Sequence, residues 1–320
     1  MYLTRRHVLS LAAGAALAAP LAHAQGRPLE IVATTGMIAD AARAIGGDHV
    51  RVQALMGPGI DPHSYRQTRT DIAALTRADL VLWNGLYLEA QMEDFLLRLG
   101  ERQPVVAVGE AVPESLRMGD EQYEDRFDPH VWMVPALWRH VTDRIAVVLT
   151  EARPDAGADF AANARDLRDR LDRLDAYGTK VLGRVPPEAR VLVTAHDAFG
   201  YFGRAYGFEV EGIQGISTES EAGLKRIRDL VDMIVARGIG AVFVESTVSD
   251  RNVRALVEGA AARGHEVRVG GELFSDAMGK PGTYEGTYPG MIDHNLTTIA
   301  RALGGQAPAR GLDGNLSVGG

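Results

Sequence analysis

The chain contains no cysteine. That excludes disulfides, thiolate zinc sites, iron–sulfur clusters and a catalytic thiol. It also sets the expectation that no lipid anchor sits on an N-terminal cysteine. Positive charge is in short supply: 34 basic residues stand against 42 acidic ones, for a formal charge of −8. No basic patch or stripe of the kind that tracks a phosphate backbone is visible, so nucleic acid is not an expected partner. Past the first two dozen residues, no apolar run approaches the roughly 18 residues of a membrane-spanning helix.

What is present is ordinary for a globular protein. Of 320 residues, 46% are hydrophobic and 24% charged, enough to build large cores and too apolar for a disordered chain. The length suggests about two domains, and 36 glycines with 14 prolines imply many tight turns.

Residues 1–24 read as an export signal rather than as part of the fold. Arg5-Arg6 form a positive start, an apolar stretch covers 8–21, and Ala22-His23-Ala24 places small residues where signal peptidase reads. The adjacent arginines resemble a twin-arginine signal; the alternative is an ordinary secretory signal that carries two arginines. Cleavage after Ala24 would leave a soluble chain in the periplasm.

The remainder reads as an α/β protein. Short apolar runs bounded by turn residues predict eight strands, at 30–34, 50–55, 80–83, 105–108, 190–194, 209–213, 241–245 and 266–269. Helical patterns fill the gaps, among them 38–45, 70–76, 88–99, 224–237 and 253–263. Strands alternating with helices imply parallel sheets. The four-and-four grouping predicts two lobes, 25–153 and 186–320, each with a mainly parallel four-stranded sheet flanked by helices. Between them, over 154–185, Phe160, Ala164, Leu167, Leu171, Leu174 and Val181 recur at mostly three- and four-residue steps. The opposite face is dense in Arg and Asp. This predicts one linking amphipathic helix of about 25 residues, or about 37 Å, whose charges form a solvated face.

Ligands of open parallel sheets bind beyond the carboxyl ends of the strands. Four side chains with metal-ligating chemistry follow strand ends: His63 after the second, His130 after the fourth, His196 after the fifth and Asp276 after the eighth. His63 and His130 each close an Asp-Pro-His tripeptide, in which proline restrains the backbone before the imidazole. Three imidazoles and a carboxylate suit a divalent transition metal. Asp61, Asp128 and Asp197 are candidate partners for the imidazole N–H groups. Helix capping or turn chemistry is the competing use of these carboxylates. Binding through neutral imidazoles predicts that affinity falls as pH drops through about 6. His49, His140, His265 and His294 sit in turns or helical patterns and read as structural. The polar run 217–221 reads as an exposed loop opening the next helix, the alternative being a place near the cleft or the permease surface.

At these residues the chain resembles the metal-binding solute-binding proteins of bacterial ABC importers, the zinc/manganese group called cluster A-I. The likeness runs through the opening at 32–38, Gly-Ile-Asp-Pro-His at 59–63 and Asp-Pro-His-Val-Trp-Met at 128–133. It continues through Val244-Glu245-Ser246, the segment 270–279, Gly282-Thr283-Tyr284 and Asn295 in the last helix. The resemblance implies two α/β lobes joined by one long helix, with metal held between them for delivery to a membrane permease by a monomeric, non-enzymatic receptor. Its ligand positions fall on His63, His130, His196 and Asp276. The third position is His or Glu in such proteins, and His196 tilts the site toward zinc. Two departures pull the other way. The segment 117–126 is acidic but short and free of histidine, unlike the His-rich loop of many zinc members, and Asp276-Ala277-Met278-Gly279 looks like manganese members. Zn²⁺ and Mn²⁺ are therefore both expected candidates, with iron behind them. Two other readings remain open. In a zinc hydrolase, Glu245, at a strand end, could be the base, but a structural role or one supporting a metal ligand is the stronger reading of it; otherwise the chain could bind a metal chelate or another small solute.

Overall fold

A computed structural model describes residues 27–119 and 126–317. The export signal expected at 1–24 and most of the acidic segment lie outside the described residues.

In the N-terminal half, β1 (Leu29–Ala33), β2 (Val50–Ala54), β3 (Leu80–Trp83) and β4 (Val105–Ala107) form one parallel sheet in the order β2-β1-β3-β4. The order reverses around β1 and β3, which places the strand ends and their loops along one rim, where open α/β sheets hold ligands. Three helices belong to this sheet: α1 (Gly36–Gly46), α2 (Arg69–Arg77) and α3 (Glu93–Gly100). The α1 helix starts at Thr35, whose hydroxyl accepts from the Ile38 amide, and buries Met37, Ile38, Ala41, Ala42 and Ile45 at helical spacing. Thr68 and Asp71 cap α2 reciprocally.

The helix expected over 88–99 starts only at Glu93. The chain leaves β3 through Gly85, Leu86 and Tyr87, all at positive φ (73°, 54° and 69°). Leu and Tyr seldom adopt that region. The buried carboxylate of Glu89 holds the turn by accepting from the amides of Asn84 and Gly85 and from the Thr34 hydroxyl. This network overrides the helical spacing of the apolar side chains.

Helix α4 (Pro135–Ala152) leads into α5 (Gly157–Leu182), 26 residues long as the spacing predicted. Phe160, Leu167, Leu171, Leu174 and Val181 are buried along its inner face. It packs against α1, α4, α6 (Gly200–Tyr206) and the last helix, α9 (Tyr288–Ala302).

The C-terminal half contains β5 (Val191–His196), β6 (Glu209–Gln214), β7 (Ala241–Glu245) and β8 (Arg268–Leu273), with α7 (Leu224–Arg237) and α8 (Arg251–Ala261). These strands are also parallel. They hydrogen-bond as two pairs, β5-β6 and β7-β8, rather than as the single four-stranded sheet expected. β5 and β7 lie side by side. At their carboxyl ends a side chain replaces the ladder: the His196 amide donates to Glu245 Oε1 at 2.8 Å.

One apolar core cluster spans both halves, beside a further cluster within each. Trp138 stacks on Tyr288 with ring centroids 5.2 Å apart and planes 16° from parallel. The Tyr288 hydroxyl donates to the Trp132 carbonyl, and Trp132 Nε1 donates to the Ser275 carbonyl, both at 2.8 Å. Burial of rings of this size stabilises by about 2–3 kcal/mol each. Among the described residues, no helix is long and apolar enough to cross a membrane.

Candidate metal centre

The four side chains picked out at strand ends converge. His63, His130, His196 and Asp276 are all buried, and one ligand atom from each lies within 4.8 Å of every other. His130 Nε2 is 3.2 Å from His63 Nε2 and 3.4 Å from His196 Nε2. Asp276 Oδ1 is 3.4 Å from His130 Nε2. Asp276 Oδ2 is 3.2 Å from His196 Nε2 and 3.9 Å from His63 Nε2. A tetrahedron with bonds of 2.0–2.1 Å has edges of about 3.3 Å. The group therefore has the dimensions of a four-coordinate metal cage.

Its hydrogen bonding is one-sided. His130 Nδ1 bonds to Asp128 Oδ1 at 2.7 Å, and His196 Nδ1 to Glu245 Oε2 at 2.5 Å. A carboxylate only accepts, so each Nδ1 carries a proton, and in the neutral ring each inward-facing Nε2 keeps the lone pair. Both Asp276 oxygens are buried and without a hydrogen-bond donor. Lone pairs and a carboxylate thus face one another across about 3 Å, an arrangement that calls for a cation.

The proton affinities express the same demand. Burial disfavours charge on His130, but Asp128 and Asp276 outweigh it and push the ring up to about 9. For His196, burial is likewise overcome, by Glu245 and Asp276, and its proton affinity lies well above the ordinary value. Burial favours the neutral acid of Asp276, yet His196 and His130 hold it well below the usual carboxylate range. His63 is different: burial, joined by the two neighbouring imidazoles and opposed by Asp276, brings it down to about 3.

The expected imidazole partners divide three ways. Asp128 fills that role. Asp61 instead accepts from the His63 backbone amide at 2.9 Å and from the Ser64 hydroxyl, an Asx-type turn, and does not touch the ring. Asp197 makes no hydrogen bond to an imidazole among the described residues; burial and the nearby Asp128 carboxylate raise it to about 6. The second ring partner is Glu245, whose position at the end of an apolar strand was the signal available in sequence. Both its oxygens are engaged by His196, so it is not free to act as a hydrolytic base.

Further support for His130 was not visible in the sequence. Asn84 Nδ2, in the Glu89 turn, donates to the Pro129 carbonyl at 3.2 Å. The Tyr201 hydroxyl donates to the Asp128 carbonyl at 2.8 Å. Of the other histidines, His49 pairs with Asp159, His265 bonds the Ile239 carbonyl and His294 the Glu272 carbonyl.

Comparison with known proteins gives a consistent picture. A family model described as zinc-uptake complex component A, periplasmic (ZnuA), matches residues 31–302. The chain is 48% identical over 275 residues to the manganese-binding lipoprotein MntA of Bacillus subtilis, covering 86% of this chain and 90% of that protein. It is 48% identical over 282 residues to the zinc-binding protein TroA of Treponema pallidum, covering 88% and 91%. The solved structure of periplasmic zinc-binding TroA superposes with a TM-score of 0.84 at 47% identity, over 86% of this chain and 99% of that one. The manganese ABC transporter substrate-binding lipoprotein PsaA of Streptococcus mitis is 28% identical over 286 residues, covering 88% and 91%.

Proposed function

Because the chain belongs to the ZnuA family of periplasmic zinc-uptake components, we propose that it captures a divalent transition metal, Zn²⁺ or Mn²⁺, and hands it to an ABC permease. His63, His130, His196 and Asp276 are the ligands in this reading. The observation that carries it is the inward-facing set of three Nε2 atoms around a buried carboxylate without a donor. The four groups leave room for one ion and none for an organic chelate. They also close the coordination that a catalytic zinc keeps open for water.

The metal is cargo, so the site must bind tightly and still release. TroA is named for zinc and MntA for manganese, and the chain is equally similar to both. The compact, nitrogen-rich cage gives Zn²⁺ the higher intrinsic affinity, while supply and the permease decide what is carried. The wider reading has an export signal over 1–24 cleaved after Ala24, lobes over 25–153 and 186–320, and a linking helix over 154–185. It places a monomer in the periplasm; MntA is named a lipoprotein.

The test is metal titration of the chelator-stripped protein with Zn²⁺ and Mn²⁺ in competition, followed by native mass spectrometry. One equivalent bound is expected, with Zn²⁺ displacing Mn²⁺. His63→Ala should weaken binding by several orders of magnitude while the fold remains. No stoichiometric binding of either ion would overturn the proposal.

A further inference from the structure

The loops that carry the N-terminal ligands are fastened to the C-terminal half in unequal ways. The His130 loop is fixed by interior bonds: Tyr201 to the Asp128 carbonyl, and Trp132 to the Ser275 carbonyl beside Asp276. The His63 loop has no comparable interior tie among the described residues. It runs through Gly57 and Gly59, the latter at φ 73°, and reaches the C-terminal half at its edge. There the Thr218 hydroxyl donates to Asp61 Oδ2 at 2.6 Å. Nearby, Gln91 donates to Glu219.

Each side of the Thr218–Asp61 bond leads to a ligand. Asp61 Oδ1 accepts from the His63 amide at 2.9 Å. The Thr218 segment is pinned by Gln214, whose Nε2 donates to the Ser220 carbonyl at 3.1 Å. Gln214 is the β6 partner of His196 in the sheet register. A continuous chain of contacts therefore runs from His63 through Asp61, Thr218 and Gln214 to His196. It passes along the rim of a surface groove lined by Asp61, Gln214, Thr218 and Thr247. An ion enclosed by four protein groups cannot leave until one of them moves, and the loop with the fewest interior ties moves first.

We propose that the Thr218–Asp61 hydrogen bond is a latch across the cleft that sets how fast the bound ion leaves, with Thr218 and Asp61 as positioning residues for His63. This rests on the metal-receptor reading above and adds to it the place where the cleft opens.

The experiment measures release of one equivalent of Zn²⁺ from the loaded protein to excess chromogenic chelator in a stopped-flow instrument. Thr218→Val removes the hydroxyl at nearly constant shape, and Thr218→Ala does the same should valine not be accommodated. Loss of a hydrogen bond to a charged acceptor predicts release about tenfold faster, with unchanged stoichiometry and an unchanged thermal midpoint of the metal-free protein. Thr218→Ser, which restores the hydroxyl, should release at close to the wild-type rate. One ion still bound but released from Thr218→Val at the wild-type rate overturns the latch alone. Thr218→Ser as fast as Thr218→Val does the same, since the hydroxyl would not be the operative group. Absence of a bound ion in the wild-type protein removes the receptor reading and the latch with it.

Discussion

His130 and His196 come from opposite halves of the molecule and solve one problem with two geometries. As proposed metal ligands each would present an unprotonated Nε2, and each has its Nδ1 held by a buried carboxylate. In the N-terminal half the carboxylate is Asp128, two residues away, and a single oxygen, Oδ1, accepts both the His130 amide and Nδ1. In the C-terminal half it is Glu245, on the neighbouring strand. There the work is split: Oε1 takes the His196 amide and Oε2 takes Nδ1. The first is a local turn that carries its own support. The second exists only once β5 and β7 are side by side.

The difference predicts unequal consequences for two amide substitutions. In Asp128→Asn, the amide oxygen can keep both bonds that Oδ1 makes. In Glu245→Gln, one of the two positions becomes an NH₂ group. If that group faces Nδ1, the imidazole proton shifts to Nε2, the atom the metal needs; if it faces the His196 amide, two donors collide. Loss of such a partner lowers metal affinity about 10–100-fold. Glu245→Gln should lie near the upper figure and Asp128→Asn at or below the lower one, read by competition with a chelator of known affinity. Equal losses would break the comparison and show that charge, not the division of oxygens, is what matters.

That contrast also separates what a sequence reader can see from what the fold adds. The four candidate ligands were legible because the strand-end rule and the repeated Asp-Pro-His converge on them. The long helix was legible from its apolar spacing. Asp128 was legible because it is adjacent to its imidazole. Glu245 was legible only as a strand-end carboxylate with a supporting or structural role; which imidazole it serves was not, since 49 residues separate it from His196 and only the pairing of strands brings them together. Adjacency suggested Asp61 and Asp197 as ring partners, and tertiary geometry decided otherwise in both cases. The late start of α3 had the same origin: Glu89 holds a turn of positive-φ residues that apolar periodicity does not reveal. The split of the second sheet into two ladders follows from which strand edges meet, which hydrophobic runs do not encode.

The pH dependence of binding sharpens the comparison from another direction. His130 is pushed up to about 9 and His196 well above its ordinary value, whereas His63 falls to about 3. Metal takes the unprotonated Nε2, so below a ring's own pKa a proton must leave first and affinity falls. His63 is then already neutral at any working pH. The other two keep competing well above the value near 6 expected for free imidazoles. Apparent affinity should rise between pH 6 and 8 by at least about tenfold per unit, one proton or more being released per ion. Isothermal titration in buffers of differing ionisation enthalpy counts those protons. A plateau above pH 7 would mean that the carboxylates do not raise His130 and His196 in solution.

The smallest effect is expected where ion pairs are most numerous. Along α5, Arg168 meets Asp143 of α4 at 2.6 Å, and Arg139 of α4 meets Asp172 of α5 at 2.5 Å. These distances match those of the buried pairs, but Arg168 and Asp143 are 50% and 44% exposed, while His196 and Glu245 are fully enclosed. Water already solvates the exposed charges, so bringing them together changes little. Arg168→Ala should lower the unfolding free energy by no more than about 0.5 kcal/mol. The loss should vanish in high salt, and metal affinity should not change. Denaturant titration at low and high ionic strength reads both quantities. A loss above about 1 kcal/mol that survives salt would make this face of the helix a clamp between α4 and α5. The charge-dense surface and the buried centre would then differ in degree only.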